Sequence, residues 1–452
     1  MPIRDILFTA IVSALLLLAL RTPVIGAYVW VWLGLMAPNK MTYGFAYNLP
    51  FAQITAIVTL IGLLITRKRH LPPRNAIVVL QIMLLAWMTI TTPFAFAAPE
   101  VAWERWLFVM KIQVMLFVVW MLVVEPRQLR VFIWVLTMSV AYFGIKGGVW
   151  TLLTGGGGRV WGPPGGFMED NNALAAGLVT LMPLLYYLRQ TEPRRWIRYF
   201  LLAAMVFCVF SILGSQSRGA LLGLLTMALF LGFKSRYPVR TSIGLLVLVG
   251  AAIAFMPDTW TTRMDTMQTY QQEGSAMSRL YSWNTLWNAA VDRPLVGAGF
   301  QADNAAVFER YAPTGGEWAV FKGRVWVAHS IYFQMLGEHG FPGLALYLLL
   351  GLAAWRKAGR IARAMRDDAE FGAWMPLLMR MVQVSMVGFG TSGAFLSLAY
   401  LDLPFYVIGL VVICDGIVRR RAAAAVAAPV AAAAAVAPNP SSPSGSPRWI
   451  GR

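Results

Sequence analysis

The sequence predicts an all-α polytopic membrane protein with about 12 transmembrane helices and one large outer loop that contains short helices. Of the 452 residues, 58% are hydrophobic and only 13% are charged, whereas a soluble domain carries about a quarter charged residues. The apolar residues form blocks of roughly twenty, the length that an α-helix needs to cross the hydrocarbon core. Basic residues cluster between these blocks, a pattern typical of the cytoplasmic loops of membrane proteins.

The predicted spans follow from these apolar blocks. They lie at about 50–66, 76–94, 103–123, 129–152, 172–188, 198–214, 218–233, 241–256, 328–355, 374–395 and 400–418. A further apolar stretch, 1–37, is interrupted at Arg21, Thr22 and Pro23. We expect this stretch to cross once, with a break, or to be partly re-entrant.

The charge distribution predicts the orientation. The formal net charge is +18, and the bases cluster at 67–69, 194–195, 234–240, 356–366 and 419–421. The long loop 257–327 holds seven acidic and six basic residues. A nucleic-acid-binding protein would need a basic face instead, so we expect no nucleic acid as a partner. The pattern predicts cytoplasmic N- and C-termini and a periplasmic loop 257–327 in a bacterial inner-membrane protein.

Four parts are predicted along the chain. They are N-terminal transmembrane helices (1–256), the large periplasmic loop (257–327), C-terminal transmembrane helices (328–421) and a cytoplasmic tail (422–452). The tail is an Ala/Pro run followed by NPSSPSGSP, a composition that predicts disorder. Segment 328–355 is predicted to be one helix that begins at His329 and is kinked at Pro342.

Arg218 is the first candidate for anion binding. It follows a hairpin of a few residues between two predicted helices, directly after Ser217. The free N–H groups at a helix N-terminus, together with an arginine, suit a phosphate group. The alternative is an interfacial arginine that only reaches towards the lipid headgroups.

Arg279 is the second candidate. Arg279, Trp283 and Trp287 follow one another at a spacing of four residues, so they share one face of a helix. An arginine on this face can bind a lipid pyrophosphate bidentately. The same pattern is typical of an amphipathic helix lying on the membrane, with its indoles at headgroup depth.

His329 is the candidate for acid–base chemistry. An imidazole with an ordinary pKa near 6.5 can accept a proton from a hydroxyl group at neutral pH. Of the other two histidines, His70 lies in a basic loop and His339 lies near the predicted kink, where a structural role is expected.

Neither a metal nor a cofactor is predicted. The outer loops lack DxD, HExxH or paired histidines, and the nearest acidic group, 169–172, is explained as a helix N-cap. Cys208 and Cys414 both fall in apolar blocks, as small core residues do. Gly155–Gly158 followed by Arg159 lacks the Lys-Ser/Thr ending of a nucleotide-binding loop.

Several motifs resemble one family. His329-Ser330, followed after nine residues by Gly340-Phe-Pro-Gly343, resembles the H-[NSQ]-x9-G-x-x-G signature of bacterial O-antigen ligases and the O-antigen ligase/polymerase superfamily. Three more segments resemble that superfamily, in its order: 167–175 (FMEDNNALA), 214–222 (GSQSRGALL) and 278–299 (from SRLYSW to RPLVGAG). The resemblance covers about 130–418. Segments 50–57 and 328–341 are similar to a subgroup, the exosortase-associated O-glycosylation ligases.

The resemblance implies an inverting, metal-independent glycosyltransferase that acts in lipopolysaccharide biosynthesis. Its donor is a glycan on undecaprenyl pyrophosphate, its acceptor is a hydroxyl of lipid A-core, and both reach it from the membrane. It implies that His329 is the general base and that Arg218 and Arg279 bind the pyrophosphate. Arg159, Asn171 and Asn172 are implied as further glycan or phosphate contacts.

Other functions stay open at this point. The subgroup favours a protein hydroxyl as the acceptor, which would make the chain a protein O-oligosaccharyl ligase. An O-antigen polymerase uses the same chemistry. A lipid-glycan transporter would need charged residues along a path at mid-membrane, and most of the predicted spans lack them.

Overall fold

The computed structural model describes residues 3–66, 70–235, 237–255, 257 and 274–436. Throughout these ranges the secondary structure is helical. The helices are α1 (Ile3–Arg21), α2 (Pro23–Met36), α3 (Phe51–Ile65), α4 (Ala76–Thr91), α5 (Pro99–Leu122), α6 (Pro126–Leu153), α7 (Asn171–Thr191), α8 (Arg195–Gly214), α9 (Arg218–Lys234), α10 (Pro238–Ala254), α11 (Gly274–Asp292), α12 (Ala305–Tyr311), α13 (Ile331–Ala364), α14 (Met375–Gly393) and α15 (Asp402–Val436).

These helices follow the predicted apolar blocks closely. Among the described residues, seven helices are long and apolar enough to cross a membrane: Ile3–Arg21, Ala76–Phe94, Pro99–Leu122, Pro126–Leu153, Asn171–Thr191, Arg195–Gly214 and Ile331–Ala364. Further apolar helices, including Pro23–Met36 and Phe51–Ile65, are shorter. The chain is a polytopic membrane protein, and the count of about twelve spans stays a prediction.

Helix α7 forms the centre of the bundle. Of its most apolar stretch, 94% is buried inside the protein, and it packs against α6, α8, α9 and α14. Small residues let the helices around it approach closely, as is usual within membranes. Gly148 of α6 lies directly against the backbone of Phe207, and Gly223 of α9 lies against Ser392.

The basic residues gather at one end of the bundle, which we call the basic end. Arg130 pairs with Glu192 at 2.8 Å, Lys357 pairs with Asp415 at 2.5 Å, and Arg421 pairs with Asp368 at 2.7 Å. The opposite end, which we call the loop end, holds the connections 37–50, 92–98, 154–170, 215–217, 293–330 and 394–401. The basic loop 67–69 lies outside the described residues.

Of the two predictions for 1–37, a single crossing with a break is wrong, and a partly re-entrant stretch stays a prediction. The buried carboxylate of Asp5 accepts hydrogen bonds from the backbone N–H groups of Gly44 and Ala46, at 3.0 and 2.9 Å. The start of α1 therefore lies beside the segment that joins α2 to α3. Thr22 does not kink one helix, because Pro23 opens a second helix that runs back along α1. The chain thus starts at the loop end, and not at the basic end as predicted.

The kink in α13 lies two residues before its predicted position. Gly340 adopts φ 67° and ψ −171°, which interrupts the helix ahead of Pro342. The break separates the carbonyl of Gly337 from the N–H of Phe341, which a regular helix would join. Two loop residues replace that bond: Ala298 N donates to Gly337 O at 2.7 Å, and Phe341 N donates to Pro294 O at 2.9 Å.

Two further boundaries differ from the prediction. Helix α13 begins at Ile331 and not at His329, because Ser330 is its N-cap. Helix α15 continues to Val436, through part of the tail that was predicted to be disordered. Alanine has the highest helix propensity of all residues, so a run of alanines readily prolongs a helix. Residues 437–452 lie outside the described ranges.

We predict that Gly340→Ala destabilises the protein. The new methyl group would collide with the carbonyl oxygens of Pro294 and Leu295, and a non-glycine residue at this positive φ costs about 1–3 kcal/mol. Gly351→Ala is a matched control in the same helix, since the nearest atom to its methyl group is 4.0 Å away. Thermal unfolding in detergent should show a lower midpoint for Gly340→Ala only. Equal midpoints for both variants would argue against the close packing of the loop residues Pro294 and Leu295 on Gly340.

A labelling experiment tests the arrangement of the two ends. Cys208 and Cys414 are buried, so single cysteines introduced at the exposed positions Tyr43, Ala319 and Asp367 report on topology. Tyr43→Cys and Ala319→Cys should react with an impermeant thiol reagent in intact spheroplasts. Asp367→Cys should react only after lysis. Opposite behaviour of Tyr43→Cys and Ala319→Cys would contradict the placement of both connections, 37–50 and 293–330, at the loop end.

Candidate functional site

His329 lies at the loop end, immediately before α13. The Ser330 side chain accepts a hydrogen bond from Phe333 N at 3.5 Å and so caps the helix. His329 itself has φ 43°, outside the helical region, and its backbone N–H donates to Ser397 Oγ at 2.7 Å. This turn holds the imidazole at the start of α13, outside the packed interior of the helix bundle.

Helix α11 packs against this turn and carries Arg279. The indole N–H of Trp283 donates to Ala328 O at 2.6 Å, and its ring stacks on Phe333 with centroids 5.0 Å apart. Ser282 Oγ donates to Trp326 O at 3.2 Å. Arg279 lies one turn before Trp283, so these contacts place it close to His329. The face predicted for Arg279, Trp283 and Trp287 is therefore a packing face against α13.

The surroundings of His329 lower its pKa below the ordinary value of 6.5. Burial is the largest cause, because it disfavours the charged imidazolium, and the positive charge of Arg279 adds to it. Asp170 and Asp303 act in the opposite direction. Below pH 7 a lowered pKa increases the fraction of neutral imidazole, the form that can accept a proton.

Arg218 begins α9 at the same end. The Ser217 side chain caps the helix by accepting from Ala220 N at 3.3 Å. Asn171 Nδ2 donates to Ser215 O at 2.6 Å and so holds the preceding turn. Arg159 Nε donates to Gln216 Oε1 at 3.3 Å in that turn. Three predicted site residues thus meet in one small region.

The two asparagines take part in hydrogen bonds around this turn. Asn171 is buried and is used to hold the turn before Arg218. Asn172 donates through Nδ2 to Asn171 Oδ1 at 3.3 Å. Asp170 accepts from the N–H groups of Asn172 and Ala173, which confirms the N-cap predicted at the start of α7. Asn171 thus holds the turn that precedes Arg218.

The segment 394–401 joins the two groups. Phe395 packs against Gly219, the second residue of α9, while Ser397 accepts the backbone hydrogen bond from His329. Asp170 also acts electrostatically on His329. The structure therefore brings Arg159, Asn171, Asn172, Arg218, Arg279 and His329 to the loop end of the bundle.

Two segments of the chain match known protein families. Residues 203–348 match the family model described as O-antigen ligase. The chain carries an O-antigen ligase domain. Residues 3–193 match a family of unknown function, DUF5935. No curated protein matches the chain.

The O-antigen ligase domain contains Arg218, Arg279 and His329, but the site extends beyond it. Arg159 and the two asparagines lie in the segment that matches the family of unknown function. The loop 394–401, which holds His329 through Ser397, lies after both matched segments. All three parts of the chain therefore build one site.

Beside the candidate site lies a polar cavity of about 180 Å³ that the sequence did not predict. Its lining includes Arg105, Gln301, Asp303, Glu338 and Ser397. The sequence around Glu338 did indicate a functional residue, because an acidic residue in an apolar span is usually functional. Nothing in the sequence indicated Arg105 or Asp303, since charged residues are common in loops and near the ends of membrane helices.

His339 is structural, in agreement with the prediction. Its Nδ1 lies 2.6 Å from Thr91 Oγ1 and its Nε2 lies 2.7 Å from the Tyr400 hydroxyl. The Tyr400 hydroxyl in turn donates to Glu338. This buried network ties α4, α13 and the segment 394–401 together beneath the site. Within the described ranges, no group of three His, Cys, Asp or Glu side chains is close enough to hold a metal.

The pKa of His329 predicts how the rate depends on pH. If the neutral imidazole is the active form, activity falls as the pH decreases through the pKa of His329. That midpoint should lie below 6.5 because the pKa is lowered. Arg279→Gln removes a charge that lowers the pKa, so the midpoint should move to higher pH. Asp303→Asn should move it to lower pH, because the carboxylate raises the pKa.

The measurement is the pH profile of kcat/KM, which reports the groups that titrate in the free enzyme. Arg324→Gln is the control, an exposed arginine on the same loop, and its profile should match that of the wild type. Unchanged midpoints in both site variants would contradict the assignment of the titrating group to His329.

Proposed function

We propose that this protein is an inverting, metal-independent glycosyltransferase. It moves an O-antigen polysaccharide from undecaprenyl pyrophosphate to a hydroxyl of lipid A-core at the periplasmic face of the bacterial inner membrane. The observation that carries the proposal is the position of His329, partly buried beside Arg279 within the O-antigen ligase domain.

In the proposed reaction His329 removes the proton from the acceptor hydroxyl. The oxygen attacks the anomeric carbon of the donor, and the bond from that carbon to the pyrophosphate oxygen breaks. The electron pair of this bond leaves with undecaprenyl pyrophosphate, and the proton remains on the imidazole until it is released to water. Attack from the face opposite the leaving group inverts the anomeric configuration.

Arg218 and Arg279 are proposed to bind the pyrophosphate. Negative charge grows on the leaving group as the glycosidic bond breaks, and a guanidinium placed there stabilises it. Arg218 also occupies the first turn of the 17-residue helix α9, where the helix dipole favours an anion. A pyrophosphate stabilised in this way is a good leaving group without a metal ion.

An apolar groove supports a lipid-linked donor. The groove has a volume of about 410 Å³ and lies between α13, α14 and α15. Its lining starts at Ile331 and Tyr332, two and three residues after His329, and continues along α13 to Trp355. A polyprenyl chain in this groove would keep its pyrophosphate near the loop end.

The orientation is proposed from charge. Basic loops face the cytoplasm in most inner-membrane proteins, so the basic end is assigned to the cytoplasm and the loop end to the periplasm. Flipped lipid-linked glycans and lipid A-core would both reach the site from the surrounding membrane lipids. This orientation assigns the end of the C-terminal helix α15 to the cytoplasm.

The direct experiment is a reconstituted transfer reaction. Purified protein is incubated with an undecaprenyl-pyrophosphate-linked glycan and lipid A-core, and the products are identified by mass spectrometry. A glycan joined to lipid A-core, with inverted anomeric configuration, is the expected product. Elongated donor would make the protein a polymerase, and glycan on a supplied protein acceptor would make it a protein O-oligosaccharyl ligase. Recovery of unchanged substrates with every acceptor would overturn the proposal.

Three substitutions should separate the role of the general base from that of the two arginines that bind the pyrophosphate. His329→Ala should reduce kcat by about 10²- to 10⁴-fold, as removal of a general base does, while the donor affinity stays near that of the wild type. Arg218→Ala and Arg279→Ala should weaken donor binding as well as turnover, because each removes a charged contact to phosphate. Arg→Lys variants should recover only part of the loss, since an ammonium lacks the bidentate fork.

Donor binding and single-turnover rates measure the two effects separately. Arg324→Ala, at an exposed position of the same loop, is the control. A His329→Ala enzyme with a near-normal rate would remove His329 from the chemistry. Loss of donor binding as severe as in the arginine variants would make it a substrate anchor.

Metal independence is tested by chelation. We predict that activity survives exhaustive treatment with EDTA, because two arginines are proposed to supply the charge that a metal would provide. The assay is the same transfer reaction, with and without added magnesium or manganese. Loss of turnover in EDTA and its recovery with a metal would contradict the proposal that two arginines replace a metal. Glu169 and Asp170 would then be the first candidates for metal ligands.

A further inference from the structure

The polar cavity beside the site has the size of one six-membered ring. Its volume is about 180 Å³, and a cavity of roughly 150 Å³ in another protein holds a benzene molecule. The cavity lies inside the loop end, between α5, α13 and the loop segments 301–303 and 327–328. It is therefore large enough for a single sugar ring and too small for a longer glycan.

The lining contains both hydrogen-bond donors and hydrogen-bond acceptors. Arg105 supplies a guanidinium, Asp303 supplies a carboxylate, and Gln301 and Gln334 supply amides that can both donate and accept. The guanidinium of Arg105 is held 5.5 Å from the centre of the Tyr400 ring. Such a mixture satisfies several hydroxyl groups that point in different directions.

The charges argue against an anion or a lipid chain as the occupant. Arg105 is opposed by two acidic side chains, Asp303 and Glu338, so a phosphate group would meet repulsion as well as attraction. A lipid chain would place apolar groups against Arg105, Gln301 and Asp303 and exclude water from them, at a cost of about 1–3 kcal/mol for each buried group left without a hydrogen bond. A neutral ring with several hydroxyls avoids both costs.

The cavity adjoins the proposed base. Its wall includes Ala328, the residue before His329, and Ser397, which accepts the backbone hydrogen bond of His329. Asp303 connects the cavity with His329, because it lines the cavity and acts electrostatically on His329. A ring in the cavity would therefore lie beside the turn that holds His329.

We propose that this cavity is a subsite for one sugar ring, held by Arg105, Gln301, Asp303 and Gln334 beside His329. The inference rests on the proposed function and deepens it. Two sources supply the same chemistry: the sugar of the acceptor that carries the reacting hydroxyl, and the first sugar of the lipid-linked donor. The residues act by binding and orienting the ring.

Binding measurements on two substitutions test the subsite. Gln301→Ala removes one neutral hydrogen-bonding group, which should weaken binding of the sugar-bearing ligand about two- to tenfold. Asp303→Asn removes a charged acceptor and should weaken it more, about tenfold or above. Gln53→Ala is the matched control, an exposed glutamine on α3. Measurement at pH 8.5 keeps His329 neutral in every variant.

The two sources are separated by the probe. Dissociation constants are measured for lipid A-core, for undecaprenyl-pyrophosphate-linked glycan and for undecaprenyl pyrophosphate without sugar. Weaker binding of lipid A-core alone assigns the cavity to the acceptor. Weaker binding of the sugar-bearing donor, with unchanged binding of the sugar-free lipid, assigns it to the first donor sugar. Either result supports the subsite.

The results that would contradict the subsite can be told apart from one another. If the wild type transfers glycan while both variants bind all three lipids as the wild type does, the subsite is wrong and the proposed function stands. Equal weakening for the sugar-free lipid would make the cavity part of pyrophosphate binding, which also overturns the subsite. If the wild type binds none of the lipids, the proposed function fails together with the subsite.

Discussion

The site depends on an exchange of backbone hydrogen bonds at the break in α13. Gly340 interrupts the helix, and the freed carbonyl of Gly337 and N–H of Phe341 bond to Ala298 and Pro294 of the loop. Buried backbone groups must find partners, so neither the broken helix nor the loop is complete without the other. This docking fixes the end of α11, and through α11 it places Arg279 beside His329.

The same docking determines the electrostatics of the site. Loop residues cover His329 and so remove it from water, which lowers its pKa together with Arg279. A base of lowered pKa is weaker but is neutral at physiological pH. Charges in a partly dry site also interact more strongly than in water. An arginine that lowers the pKa of the base would then be well placed to attract a pyrophosphate.

The sequence predicted the helices well, because apolar blocks of helix length specify their own positions. Local motifs selected Arg218, Arg279 and His329 as candidates, and the structure places all three at the loop end. The turn at Thr22 was misread, since a short break between apolar stretches looks the same for a kink and for a hairpin. Asp5, which holds the hairpin, finds its partners about forty residues later.

The remaining differences arise from contacts between distant parts of the chain. The position of the break in α13 depends on Pro294 and Ala298, which no local pattern around Gly340 reveals. The polar cavity combines residues from α5, two loop segments, α13 and the segment 394–401. Each of these residues has an ordinary local explanation, so the cavity is visible only once the helices are packed.

The central claim is that Arg218 and Arg279, from separate parts of the chain, bind one pyrophosphate beside His329. A double-mutant cycle on donor binding tests it most directly, with dissociation constants for the wild type, Arg218→Ala, Arg279→Ala and the double variant. Groups that share one ligand usually show a coupling energy of about 0.5–3 kcal/mol, and we predict a coupling in that range. Losses that add within about 0.3–0.5 kcal/mol would indicate two independent sites and would contradict the claim.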